Sequence, residues 1–195
     1  MIRQGMLLAL AAGASGCLSL KPQPDPARFY VLSATVPEPE SRTPGSVVGV
    51  GPVTLPGYLR HAQLITRYND HKMSLAESSR WAEPLEPMVG RVLRDDLASA
   101  LGSERGVEYP WSRSVAPAPV VEVEFEQFER DSIGTAHLDA RWRVRQGSVL
   151  QSGHTRLTEP AVTASNDDAV AAMSRALGRL ASEIAGVARG LAKVE

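Results

Sequence analysis

Two stretches of the chain, separated by a short turn, alternate apolar and charged residues with a period of two. In residues 120–128, Val121, Val123 and Phe125 alternate with Glu122, Glu124 and Glu126. In residues 136–145, Leu138, Ala140, Trp142 and Val144 alternate with Asp139, Arg141, Arg143 and Arg145. Successive side chains of a strand point to opposite faces, so each stretch has one apolar and one charged face. Asp131-Ser132-Ile133-Gly134-Thr135 lies between them and reads as a turn. If the two strands pair antiparallel, one register faces Glu124 with Arg141 and Glu122 with Arg143. The next allowed register faces Glu126 with Arg141 and Glu124 with Arg143. Either sets opposite charges together on the wet face, each pair worth about 0.2–1 kcal/mol. A slip of one residue would bury the charges and is strongly disfavoured. The chain must therefore build a sheet with one solvated face and one face that needs a cover. The Glu/Arg ladder itself reads either as a solvated sheet surface or as an electrostatic docking face.

Two helical segments can supply the cover. The first is expected over about 83–101. Pro84 suits a first helical turn, Leu85, Val89, Val92, Leu93, Leu97 and Leu101 line one face, and Gly102 is a stop signal. The second is expected over 166–191. Ser165 or Asn166 can cap it, and Asp167 and Asp168 suit the positive end of the helix dipole. Its residues Val170, Met173, Leu177, Leu180, Ile184, Val187 and Leu191 form a heptad stripe. That stripe either packs on the domain's own sheet or forms a seam for self-assembly. Further strands are expected at 28–33, at Val47–Val53 with Pro52 ending the regular pairing, at 107–109, and at 149–158 with Gly153 as an interruption. Gln63–Tyr68 and Lys72–Ala76 flank Asn69-Asp70-His71 and read as a hairpin. The expected fold class is α/β in the α+β sense: a single domain over 28–192, with a mixed, mostly antiparallel sheet packed with two main helices.

Among the 195 residues there is one cysteine, which excludes an internal disulfide framework and any multi-Cys zinc site. A hydrophobic share of 43% with a net charge of -1 is ordinary for a globular domain and argues against a nucleic-acid binder. Residues 1–16 read as a secretory signal, with Arg3 as the positive region and Met6–Ala12 as a short apolar run. That run is too short to span a bilayer. Ala14-Ser15-Gly16-Cys17 resembles the lipobox of bacterial lipoproteins, which implies cleavage before Cys17 and lipidation of its thiol. The alternative is an incidental free thiol behind an ordinary signal. Leu18 stands where such lipoproteins often carry an inner-membrane retention Asp, so the resemblance implies the outer membrane, facing the periplasm. Residues 17–27, with Pro22, Pro24 and Pro26, read as a tether. Ten extended residues reach roughly 30 Å.

The sequence offers little chemistry. His61, His71, His137 and His154 form no i,i+4 pair and no HExxH motif, and no G-x-S-x-G elbow, phosphate-binding loop or dinucleotide fingerprint is present. Asp95 and Asp96 are adjacent on a helix and point apart. We expect no catalytic residues, no metal site and no cofactor.

One set of segments is distinctive: Val50-Gly51-Pro52-Val53-Thr54-Leu55-Pro56-Gly57-Tyr58-Leu59, Ile65-Thr66-Arg67 and Arg80-Trp81-Ala82-Glu83-Pro84-Leu85. With Tyr109-Pro110-Trp111 and Leu138-Asp139-Ala140-Arg141-Trp142, they resemble the PqiC (paraquat-inducible) family of ABC-type transport auxiliary lipoproteins over about residues 28–192. The resemblance implies an accessory subunit working with an Mce-domain protein and, through it, an inner-membrane permease and ATPase. It also implies transport of lipids or other hydrophobic molecules, a role in membrane integrity, and homo-oligomeric rings. The candidate partner-interface residues are Tyr58, Leu59, Arg67, Arg80 and Trp81. Each has a structural alternative: the Tyr58-Leu59 turn covering the core edge, Arg67 and Arg80 in ion pairs with Glu77 or Glu83, and Trp81 stapling the first helix to the sheet. A stand-alone periplasmic lipid-binding lipoprotein is the competing function, and a deep apolar pocket between helix and sheet would favour it. A hydrolase is the third, and a tight Ser-His-Asp cluster would revive it.

Overall fold

The computed structural model describes residues 26–192, so the expected signal, Cys17 and all but the end of the tether lie outside the described residues. The strands are β1 (Arg28–Tyr30), β2 (Thr43–Thr54), β3 (Gln63–Asn69), β4 (Lys72–Trp81), β5 (Ser103–Glu108), β6 (Val120–Asp131), β7 (Ala136–Gln146) and β8 (Val149–Glu159). Helix α1 (Leu85–Leu101) joins β4 to β5, α2 (Asn166–Leu191) follows β8, and Gly57–Leu59 forms a 3-10 turn. β2 begins earlier than the sequence suggests and continues past Pro52, with a register shift between Val50 and Val53. β5 likewise begins at Ser103, directly after the helix stop.

The alternating pair forms the β6–β7 hairpin in the first of the two allowed registers, with Glu124 opposite Arg141 and Glu122 opposite Arg143. After Phe125 the ladder shifts by one residue, and Gln127 faces Asp139 while Phe128 faces Leu138. The bulge lets Phe125 and Phe128 both enter the core, their ring centroids 5.5 Å apart. β8 extends the meander antiparallel to β7. The other edge of β6 is shared. Its first half pairs parallel with β2, and Arg130 and Asp131 pair parallel with Thr66 and Arg67 of β3. β2 continues to β5, and β3 to β4 and then β1. The result is one mixed sheet in which the antiparallel ladders β6–β7 and β7–β8 are the longest.

The helices cover the apolar face. α2 packs on β6, β7 and β8, α1 on β2 and β5, and the helices pack on each other. Val170, Met173, Leu177, Leu180, Ile184 and Leu191 are buried and Val187 packs partly buried beside them, so the heptad stripe is the domain's own core. Each such Leu or Ile stabilises the fold by about 1.5–3 kcal/mol through burial. The ends follow the sequence signals. Gly102 terminates α1 in the left-handed conformation at φ 64°, and the Ser165 hydroxyl accepts from the Asp168 N–H at 3.1 Å. Gly153 lies opposite Trp142, and a Cβ there would run into the indole ring. The missing side chain makes room for Trp142, whose Nε1–H donates to Thr155 Oγ1 at 2.8 Å.

Candidate interaction site

Two of the segments singled out in the sequence meet at a buried carboxylate, Glu129 of β6. Pro56 leads into the 3-10 turn, which aims Tyr58 across the face of the sheet opposite α1 and α2. The Tyr58 hydroxyl donates to Glu129 Oε2 at 2.7 Å. Arg67, on β3, donates from Nε to Glu129 Oε1, and its guanidinium lies 5.8 Å from the Tyr58 ring centroid. Gln127 Nε2 donates to Oε1 at 2.9 Å, and the Phe128 N–H donates to Oε2 at 3.1 Å. Glu129 is 1% exposed. A buried carboxylate is costly unless paired and fully hydrogen-bonded, and here both oxygens are met by two donors each.

The electrostatics fix the roles. Burial, followed by the hydrogen bond and charge of Glu129, pushes the Tyr58 hydroxyl far above the ordinary phenol range, so it stays a donor and is no base. Burial pulls on the Arg67 guanidinium in the opposite sense, but the bond to Glu129 and its charge outweigh that and raise it. The group is a buried ion pair with every carboxylate oxygen hydrogen-bonded. Beside it, between sheet and helices, is a void of about 10 Å³ bordered by Leu59, Ile65, Trp81, Phe128 and Met173. That is about one water molecule and far too small for an acyl chain.

The five candidate residues part company. Leu59 and Trp81 are buried in the core, where Leu59 seats the turn and Trp81 closes the end of β4 with its N–H on Ala62 O at 2.7 Å. Tyr58, Arg67 and Arg80 keep part of their surface. The ion pairs expected with Glu77 or Glu83 do not form. Arg67 takes Glu129, Glu83 pairs with Arg91, and Arg80 pairs with neither. Glu129 escapes the sequence reading because the alternation runs out at Phe128. The spacing of Phe125 and Phe128 is the available signal, since two core aromatics three apart in a strand imply a bulge that re-aims the residues beyond it.

Asp96 escapes for a related reason. It lies four residues after Val92 and seven after Val89, so it sits on the buried stripe of α1 and is fully buried. Its Oδ1 accepts from the N–H groups of Thr35 and Val36, both at 2.8 Å, and so fastens the segment after β1 to the helix. Burial raises its carboxyl above the ordinary range, against the pull of those two donors.

On the same face as Tyr58, Glu126, Asp139 and His154 come from three strands and bring potential ligand atoms within 4.8 Å of one another. Arg141 Nε holds Glu126 at 2.5 Å, and Arg156 Nε holds Asp139 at 2.6 Å. Burial raises the Asp139 carboxyl, but Arg156 and His154 outweigh it and hold it below the usual carboxylate range. The cluster thus carries its own counter-ions. His154 bonds Asp139 and His137 bonds Asp131, and among the described residues no serine hydrogen-bonds to either histidine. A broad polar hollow of about 680 Å³ lies alongside, bordered by Glu122, Glu124, Arg141, Arg143 and His154.

The fold and this site define a single α+β domain whose most elaborate polar group is a buried, fully hydrogen-bonded ion pair. The chain belongs to the family described as the ABC-type transport auxiliary lipoprotein component, whose model matches residues 30–185. It is therefore a transport-associated lipoprotein of the cell envelope. Among solved structures it resembles protein XCC0632 from Xanthomonas campestris, described as a DUF330 protein, with a TM-score of 0.67 at 13% identity over 87% of this chain and 100% of that one. An uncharacterized protein matches with a TM-score of 0.67 at 18% identity, over 80% of this chain and 95% of that one. At such identities the likeness is one of fold. No curated protein matches the chain. Among the described residues, no helix is long and apolar enough to cross a membrane.

Proposed function

We propose that the protein is an outer-membrane-anchored, periplasm-facing accessory subunit of an Mce-type transport system that moves lipids or other hydrophobic molecules between the membranes and supports membrane integrity. The observation that carries the reading is the sole cysteine at position 17, placed directly after a short signal and followed by a proline-rich tether into a domain of the transport auxiliary family. In this reading residues 1–16 are removed, Cys17 is lipidated, and 28–192 form the working domain. The subunit acts by positioning and assembly, with the Mce-domain protein as its partner and the permease and ATPase beyond it. Tyr58 and Arg67 offer that partner a preformed contact, because Glu129 holds both from beneath. Leu59 and Trp81 contribute by supporting the turn and the strand end. The stand-alone lipid carrier gains no support from the 10 Å³ void between sheet and helices.

The test is Cys17→Ser in the native host. The variant should lose its acylated N-terminal peptide by mass spectrometry and leave the outer-membrane fraction. Normal fractionation of the variant would sink the anchor. Wild-type protein that brings down no Mce-domain, permease or ATPase subunit after crosslinking would sink the partnership.

A further inference from the structure

β1 is an edge strand, paired only with β4 among the described residues. Tyr30 and Leu32 enter the core, while Phe29 is 65% exposed and Val31 53%. Phe29 lies opposite Arg80 of β4, and Arg80 lies opposite Gln63 of β3. Two residues further along β3, Ile65 lies opposite Leu75, which is 45% exposed. Ser79 accepts from Asn166 at the start of α2, so Arg80 beside it, and its partner Phe29, face away from the helices. Past the register shift between Gln63 and Ile65, Leu75 pairs with Ile65 and shares a face with Arg67 two residues on. That is the side that carries Arg67 and Tyr58.

Arg80 is the unexplained member. Its Nε is buried with no acceptor, and its side chain has no ion pair or hydrogen bond among the described residues. A native fold rarely leaves a buried donor unmet, because its desolvation is uncompensated. An unpaired guanidinium flanked by an exposed aromatic and exposed aliphatics has the chemistry to meet a phosphate above an apolar layer.

We infer that this face of β1, β4 and β3 docks on the surface of a bilayer containing anionic phospholipid, with a lipid phosphate at Arg80 and with Phe29, Val31 and Leu75 at the acyl boundary. The inference rests on the anchored reading above for its geometry. From Cys17 to Phe29 the chain at full stretch covers roughly 37 Å at about 3.1 Å per residue, and β1 is the first strand it meets. The strand nearest the anchor thus turns Phe29 outward, with Val31 just past its end. A lipid chain and a weak surface contact reinforce each other, as two signals do in stable membrane anchoring.

The experiment labels Val31→Cys with a nitroxide on the full protein, because an acylated Cys17 leaves position 31 as the single free thiol. Leu150→Cys on β8, also exposed, serves as the reference site. Both are reconstituted in vesicles of phosphatidylethanolamine and phosphatidylglycerol, and collisions with oxygen and with an aqueous nickel chelate are compared. At position 31 the ratio of oxygen to nickel collisions should rise several-fold over position 150. Arg80→Gln should abolish the rise and Arg80→Lys should keep most of it, with near-ultraviolet circular dichroism showing both folded. Equal ratios at 31 and 150 in acylated protein overturn the docking face and leave the anchor standing. Absence of the acyl group by mass spectrometry overturns the anchor, and the same comparison in a Cys17→Ser background, where position 31 is again the single thiol, then decides whether the face enters the vesicles. Shielding that is unchanged in pure phosphatidylcholine vesicles, with a doubled molecular mass, assigns the face to a second copy and overturns the lipid.

Discussion

Arg67 is worth more to the fold than its partly exposed position suggests, because what it protects is not exposed at all. Removing it leaves Glu129 buried with a charge and three neutral donors. Breaking a buried pair by deleting one partner costs about 3–5 kcal/mol. Arg67→Ala is expected to lose that much in urea denaturation, and a cost below about 1 kcal/mol would show Glu129 to be solvated. Asp96 gives a pH signature of known sign. Its folded pKa lies above its unfolded value, so its contribution is fully present below the ordinary carboxyl range and is lost as pH rises through the raised pKa. Measured against Asp96→Asn, in which the other carboxylates titrate as before, the wild type should be relatively most stable near pH 4 and lose ground towards pH 7. A pH-independent difference would contradict the raised value. Glu129 and Asp96 also mark the limit of reading by pattern. A charged residue on an apolar stripe looks like noise until the chain segments that bring its donors are in place. Tyr58 and Arg67, which donate to Glu129, and Thr35 and Val36, which donate to Asp96, lie tens of residues away in sequence.

At the scale of the element, the β6–β7 register and both helices were legible because each satisfies a local rule twice over. Charge pairing and apolar alternation narrow the register to two, of which the structure takes the first, and caps agree with stripes at the helix ends. The bulge was not legible from alternation alone, since it is a departure from period two that only the core rewards. The parallel ladders were also out of reach, because parallel partners leave no short turn between them as a signature. Gly153 reads as an interruption of β8, and the structure gives the reason in Trp142 on the neighbouring strand. Gly153→Val is therefore expected to destabilise by about 1–3 kcal/mol despite adding a good strand former. A rise in melting temperature would show that the indole can move aside.

For the whole molecule, the fold class came from the sheet's need for cover, and the family from motifs of which two meet at a single buried group. The candidate site was half legible. Tyr58 and Arg67 were named, but their organising residue, Glu129, was not, and two of the five candidates lie in the core. The shared edge of β6 also bears on how the chain reaches its compartment. Everything from β1 to β5 completes its sheet only against β6, since β2 and β3 both pair with it and not with each other. A polypeptide led across a membrane by its N-terminus passes its first hundred or so residues before the strand that would lock them arrives. Long-range pairing of this sort is slow to form. The topology thus delays closure until β6 has followed β1 to β5, and in the secreted reading proposed above this would keep the precursor threadable through a secretion channel.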